Sequence, residues 1–110
     1  MTASRSTLDE TLIALADPVR RQVVDLLAQH PRSAGALAAA VRLSPPAMSR
    51  HLRVLRRSGV VVERPDPYDA RVRIYSLRPE RFADVAAWLS DVETYWSAQL
   101  ESFRRHVEER

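Results

Sequence analysis

The stretch from Ser44 to Gly59 reads Ser-Pro-Pro-Ala-Met-Ser-Arg-His-Leu-Arg-Val-Leu-Arg-Arg-Ser-Gly and carries the signals for both ends of one helix. Ser44 is a good N-cap, and Pro45 suits the first helical position, where no N–H is needed. Gly59 can take the left-handed conformation just past the end. Between these marks Met48, Leu52 and Leu55 recur at i, i+4 and i+7, which makes one apolar stripe. Ser49, Arg50, Arg53, Arg56 and Arg57 fill the rest of the surface, so the helix has a face to bury and a cationic face to present. Taken alone, such a stretch is equally a surface helix with a solvated charge face; its neighbours decide between the two.

Upstream, Thr7 with Glu10 three residues later forms a capping-box pattern ahead of Leu8, Leu12 and Leu15, which predicts a first helix of about two turns. Asp17-Pro18 repeats the N-cap and N1 signal, and Val19, Val23, Leu26 and Leu27 carry an apolar face until His30-Pro31 ends it. His30 reads as a cap or surface residue. Ser33 caps a short helix over Ala34 to Val41, whose alanines permit close packing. A short helix, a tight turn at Arg42-Leu43 and the Ser44 helix form a helix-turn-helix pattern, although the turn lacks the usual Gly. Downstream, Val60-Val61-Val62, a turn through Pro65-Asp66-Pro67-Tyr68-Asp69, and the alternating Arg71-Val72-Arg73-Ile74-Tyr75 predict a two-stranded hairpin. A hairpin directly after such a helix is a wing, with Arg64, Arg71 and Arg73 on or near its tip.

Pro79 opens a last helix that can run to about Glu108. Its apolar positions, Phe82, Val85, Leu89, Val92, Trp96, Leu100, Phe103 and Val107, step by three or four residues. A helix of that length is a rod of roughly 45 Å, longer than a small core covers from one side. Homodimerisation along Leu89, Val92, Trp96, Leu100 and Phe103, joined by Leu8 and Leu12 of the first helix, is the expected solution. The alternative is a helix folded back on its own domain. Trp88, Tyr95, Trp96 and Phe103 read first as interface core; the other reading is a small apolar pocket between subunits for a small-molecule effector of unknown identity.

Composition narrows the function. From Arg42 to Arg81 ten arginines face four acids, a net of +6, whereas the remainder has seven against ten. A basic middle on an otherwise acidic protein calls for a polyanionic partner, with double-stranded DNA first. The expected base-edge contacts are Ser49, Arg50 and Arg53, in the first half of the helix opposite Leu52 and Leu55. Ser44, Arg56, Arg57, Arg71 and Arg73 are expected on phosphates. His51 either meets a phosphate or buttresses the turn. The rival reading is a winged helix that docks an acidic protein partner without specific DNA binding. The absence of cysteine excludes disulfides, thiolate metal sites and Cys nucleophiles. An enzyme is not expected: Ser49 and His51 point in different directions, and only two Gly occur in the chain. No long apolar run or leader pattern is present, so no membrane partner and a cytoplasmic location are expected.

Over nearly its whole length the chain resembles the ArsR-type (ArsR/SmtB) family of bacterial winged-helix repressors. The resemblance rests on Leu15-Ala16-Asp17-Pro18-Val19-Arg20-Arg21 followed by Val23-Val24-Asp25-Leu26-Leu27, on Ser44 to Leu55, and on Ser58-Gly59-Val60-Val61. Arg71 to Leu77 fits the wing pattern, with Ala70 where Gly is usual. The resemblance implies a homodimeric DNA-binding repressor, often acting on its own operon, and suggests a phosphate contact for His51. Many members release DNA on binding metal. Here the cysteine motif is missing, and the last-helix ligand pattern reads Glu93, Tyr95, His106 and Glu109, with Tyr in place of a His ligand. No metal and no cofactor are therefore expected. The expected organisation is a single, mostly helical domain over 1–110, in the order α-α-α-α-β-β-α. Residues 7–78 form the DNA-binding core and wing, and 79–108 the dimerisation helix.

Overall fold

A computed structural model describes residues 5–109. Its elements are α1 (Arg5–Leu15), α2 (Pro18–Gln29), β1 (Arg32–Ser33), α3 (Ala34–Val41), α4 (Pro45–Arg57), β2 (Val61–Pro65), β3 (Arg73–Leu77) and α5 (Pro79–Glu108). The order has one strand more than the sequence pattern indicates. The two residues of β1 pair antiparallel with β3, Arg32 opposite Tyr75 and Ser33 opposite Ile74. The sheet is therefore three-stranded, in the order β1-β3-β2. A strand of two residues has no periodicity to detect; it forms because the chain between α2 and α3 runs along the free edge of β3.

The helix starts follow the capping chemistry. Asp17 accepts from the N–H groups of Val19 (2.8 Å) and Arg20 (3.1 Å), Ser33 from Ala36 (3.1 Å) and Ser44 from Ala47 (3.3 Å). The first helix departs from expectation. It begins by Arg5, so Thr7 lies inside it, and the Thr7 carbonyl accepts from the Thr11 hydroxyl at 3.0 Å. Its buried residues are Thr11 and Ala14, while Leu8, Leu12 and Leu15 are only half-buried. Small side chains let α1 approach the core closely, and the leucines project along its flank instead.

Two helices end in the same motif with different residues. After α4, the Val60 N–H bonds the Leu55 carbonyl (3.0 Å) and the Gly59 N–H bonds Arg56 (3.1 Å), with Gly59 at φ 79°. After α3, the Leu43 N–H bonds Ala38 (3.0 Å) and the Arg42 N–H bonds Ala39 (3.3 Å), with Arg42 at φ 60°. Both are Schellman closures, but the turn between the two helices puts an arginine where glycine is easiest.

The core gathers Val23 and Leu27 of α2, Leu37 and Ala38 of α3, Met48, Leu52 and Leu55 of α4, and Val60, Val61 and Tyr75 of the wing. All three residues of the predicted α4 stripe are buried. Helix α5 behaves otherwise: none of its 30 residues is buried. Its first turns rest on the domain, where Phe82 packs against the core, but Trp96, Leu100 and Phe103 are 58%, 63% and 67% exposed. The rod extends the molecule to 69 × 32 × 22 Å rather than folding back over it.

Candidate nucleic-acid interface

Helix α4 is held by its inner face, and that determines what the outer face shows. At about 100° per residue, Met48, Leu52 and Leu55 lie within one narrow arc, and Pro46, Arg50, Arg53 and Arg57 lie opposite. Those three arginines and Ser49 are exposed. Among the described residues Arg50 and Arg53 carry neither a hydrogen bond nor an ion pair, and Arg57 lines a shallow apolar cleft of about 260 Å³ with Ile13, Ala14 and Val54. Ser44 is exposed, but its oxygen is occupied as the α4 cap, which leaves the hydroxyl proton to donate outward.

The wing is tied to this helix. Arg56 forms an ion pair with Glu63 on β2. Glu63 stands directly opposite the buried Tyr75 across the β2–β3 pairing. Hydrogen bonding with the Tyr75 phenol, aided by the Arg56 and Arg73 charges, holds the Glu63 carboxyl below its ordinary range; burial and the same carboxylate raise the Tyr75 phenol. At the tip, Asp66 accepts from the Tyr68 N–H at 2.9 Å, and Asp69 accepts from the Arg71 backbone and Nε, both at 3.1 Å. Arg71, Arg73 and Arg64 are all exposed. Arg56 and Arg71 thus have internal carboxylate partners; a guanidinium with five N–H donors keeps some for a phosphate after such a pairing.

His51 sits on the flank of α4 that faces the start of α2. Its Nδ1 is 3.4 Å from Arg20 Nη1 and 4.0 Å from Asp17 Oδ1. Arg20 in turn bonds the last carbonyls of α1, Ala14 at 2.6 Å and Ile13 at 3.3 Å, and Arg21 bonds Leu15 at 2.7 Å. The contacts of His51 are thus with the start of α2. Asp17, Arg20, Glu63 and Tyr75 belong to this surface, yet sequence reasoning did not find them. Arg20 lies 31 positions from His51, and no spacing rule links the two. The fully exposed Tyr68 at the wing tip was seen only as part of a turn.

The dimer residues expected from sequence fall into two groups. Leu89, Trp96, Leu100 and Phe103 are exposed on α5, while Leu8, Leu12 and Val92 are half-buried. Tyr95 and Trp96 meet edge to face with centroids 6.1 Å apart.

Comparison with known proteins agrees with this geometry. A sequence profile described as a helix-turn-helix domain matches residues 15–64. The HTH-type transcriptional regulator Rv2034 of Mycobacterium tuberculosis is 34% identical over 100 residues, covering 91% of this chain and 88% of that protein. The crystal structure of the ArsR family transcriptional regulator RHA00566 superposes with a TM-score of 0.77 at 30% identity, covering 88% of this chain and 97% of the other. The solution structure of the homodimeric winged helix-turn-helix DNA-binding domain of Mb0332 from Mycobacterium bovis matches with a TM-score of 0.62 at 28% identity, covering 87% and 83%. With one relative at 34% identity over 91% of the chain and an ArsR family regulator at 30% identity superposing over 88% of it, the chain belongs to the ArsR family of winged helix-turn-helix transcriptional regulators.

Proposed function

We propose that this regulator works as a homodimeric repressor, with α4 of each subunit in the major groove of a palindromic operator and the wing on the adjoining phosphate backbone. The observation that carries the reading is the pair Arg50 and Arg53: exposed, unpaired, and mounted on a helix whose opposite face is locked into the core. The major groove admits a helix and displays distinguishable base edges, and a guanidinium suits a guanine. Ser49, Arg50 and Arg53 are the base-reading residues; Ser44, Arg56, Arg57, Arg71 and Arg73 hold phosphates and set the register.

The exposed stripe of α5 supports the dimer, since Leu89, Trp96, Leu100 and Phe103 each leave more than half of their surface uncovered within one subunit. A second rod covers them and draws in Leu8 and Leu12 of α1. Two-fold symmetry then places the recognition helices one helical turn, about 10 base pairs, or a small multiple apart. The protein acts without chemistry of its own and in the cytoplasm; among the described residues no helix is long and apolar enough to cross a membrane.

Footprinting on the DNA upstream of its own gene, with sedimentation of the free protein, tests both halves. Protection of an imperfect palindrome by a dimer is expected. Binding without sequence preference at physiological salt, or a monomer at working concentrations, would refute the reading.

A further inference from the structure

We propose that Arg20 holds the His51 imidazole in the tautomer protonated at Nε2, so that the recognition helix presents an uncharged hydrogen-bond donor to a DNA phosphate. The first half follows from donor and acceptor bookkeeping. A guanidinium only donates, so the ring nitrogen it meets at 3.4 Å must accept, and Nδ1 carries no proton. The nearby Asp17 carboxylate, which could accept a proton from Nδ1, stands at 4.0 Å, outside hydrogen-bond range. The ring proton therefore sits on Nε2, because the bond made by one imidazole nitrogen sets the state of the other.

Arg20 is well suited to the task because it cannot move. Its side chain is 16% exposed, its Nε and Nη2 grip the α1 carbonyls of Ala14 and Ile13, and its own backbone N–H is bound by Asp17. The same residue closes α1, lines the start of α2 and meets α4. On His51, Nε2 has no partner among the described residues, and the side chain remains 23% exposed. An oriented N–H at the edge of a recognition helix is the kind of group that fixes register on phosphates. Arg20 is thus a positioning residue, and His51 the group that touches DNA.

This inference rests on the DNA-binding reading, and its signature separates it from a charged contact. Each lysine or arginine set on a phosphate releases a counterion and steepens the salt dependence of binding by about 0.9 in log–log slope. A neutral donor adds affinity and leaves the slope alone.

The test combines a spectrum with a titration. In long-range proton–nitrogen correlation spectra of the ¹⁵N-labelled protein above neutral pH, His51 should show a pyridine-like Nδ1 and a protonated Nε2. His51→Asn, whose short amide reaches only as far as Nδ1, keeps an acceptor for Arg20 and removes the outward donor. It should lose about ten- to a hundredfold in affinity for each subunit engaged, the worth of one hydrogen bond from a neutral donor to a charged phosphate, alike on operator and random duplex, with the salt slope unchanged. His51→Gln, whose amide reaches as far as Nε2, should recover most of the affinity. A proton on Nδ1, wild-type affinity in His51→Asn, or a slope reduced by about one unit would each overturn the proposal. Should the wild type bind no duplex, the DNA reading itself fails, while the spectrum still reports whether Arg20 sets the tautomer.

Discussion

Gly59 and Arg42 occupy the same position of the same helix-ending motif, so exchanging their chemistry should move stability in opposite directions. Gly59→Ala places a Cβ on a residue at φ 79°, where an L side chain costs roughly 1–2 kcal/mol. The lower entropy of the unfolded Ala chain returns about 0.5–1 kcal/mol of that. The new Cβ also meets Arg81 Nε at 2.8 Å and Nη2 at 3.2 Å. The guanidinium must leave its position, which displaces it from Asp84, 3.7 Å away, and costs about 0.5–1.5 kcal/mol in side-chain strain. The sum is a loss of about 0.5–3 kcal/mol. Arg42→Gly relieves the left-handed penalty at φ 60° and should gain about 0.5–1 kcal/mol. In a domain of this size those changes lower the Tm by roughly 2–12 °C and raise it by roughly 2–4 °C. Urea unfolding followed by Trp fluorescence, at one fixed protein concentration because any self-association would add to stability, reads both. The Arg81→Ala background isolates the clash: there Gly59→Ala should lose only its backbone part. Equal costs in both backgrounds, or a destabilised Arg42→Gly, would refute the reasoning.

Three further outcomes are expected. Arg50→Ala should cost roughly 1–3 kcal/mol on the operator and relax preference at one base pair, whereas Arg71→Ala should weaken all sequences alike and flatten the salt slope by about one; competition titrations at several salt concentrations distinguish them. Leu100→Glu puts a charge in the middle of the exposed α5 stripe and should yield a monomer by sedimentation with the fold retained in circular dichroism, because that side chain is 63% exposed in its own subunit. The Glu63 carboxyl is held low, first by the Tyr75 hydroxyl and then by Arg56, so its contribution is fully present above the ordinary carboxylate range and is lost as pH falls through its depressed folded value. Glu63→Gln should therefore flatten the acid limb of the stability profile, and an unchanged limb would assign acid unfolding to other groups such as Asp17.

How much of this could be read in advance depended on range. The caps of α2, α3 and α4 were legible because Asp17, Ser33 and Ser44 act on N–H groups two or three residues away. The first helix departs from its capping-box pattern because α1 already runs through Thr7 and Glu10 and buries Thr11 and Ala14. The exposed arginines of α4 and the wing are legible from charge and periodicity, but the partners of Arg56 and His51 are not. Glu63 reaches Arg56 only because β2 returns along α4, and Arg20 reaches His51 only because α2 crosses it.

Local chemistry in the chain alone was enough to specify five helices, a wing, one cationic helix face and a rod with an uncovered stripe, since caps, turns and apolar repeats act over one or two turns of backbone. Packing decided the rest. Which arginines stay free and which find a carboxylate, where β1 joins the sheet, and which nitrogen of His51 faces outward all depend on groups far apart in the chain. Those distances are set when apolar faces close on one another, and no pattern of neighbours encodes them.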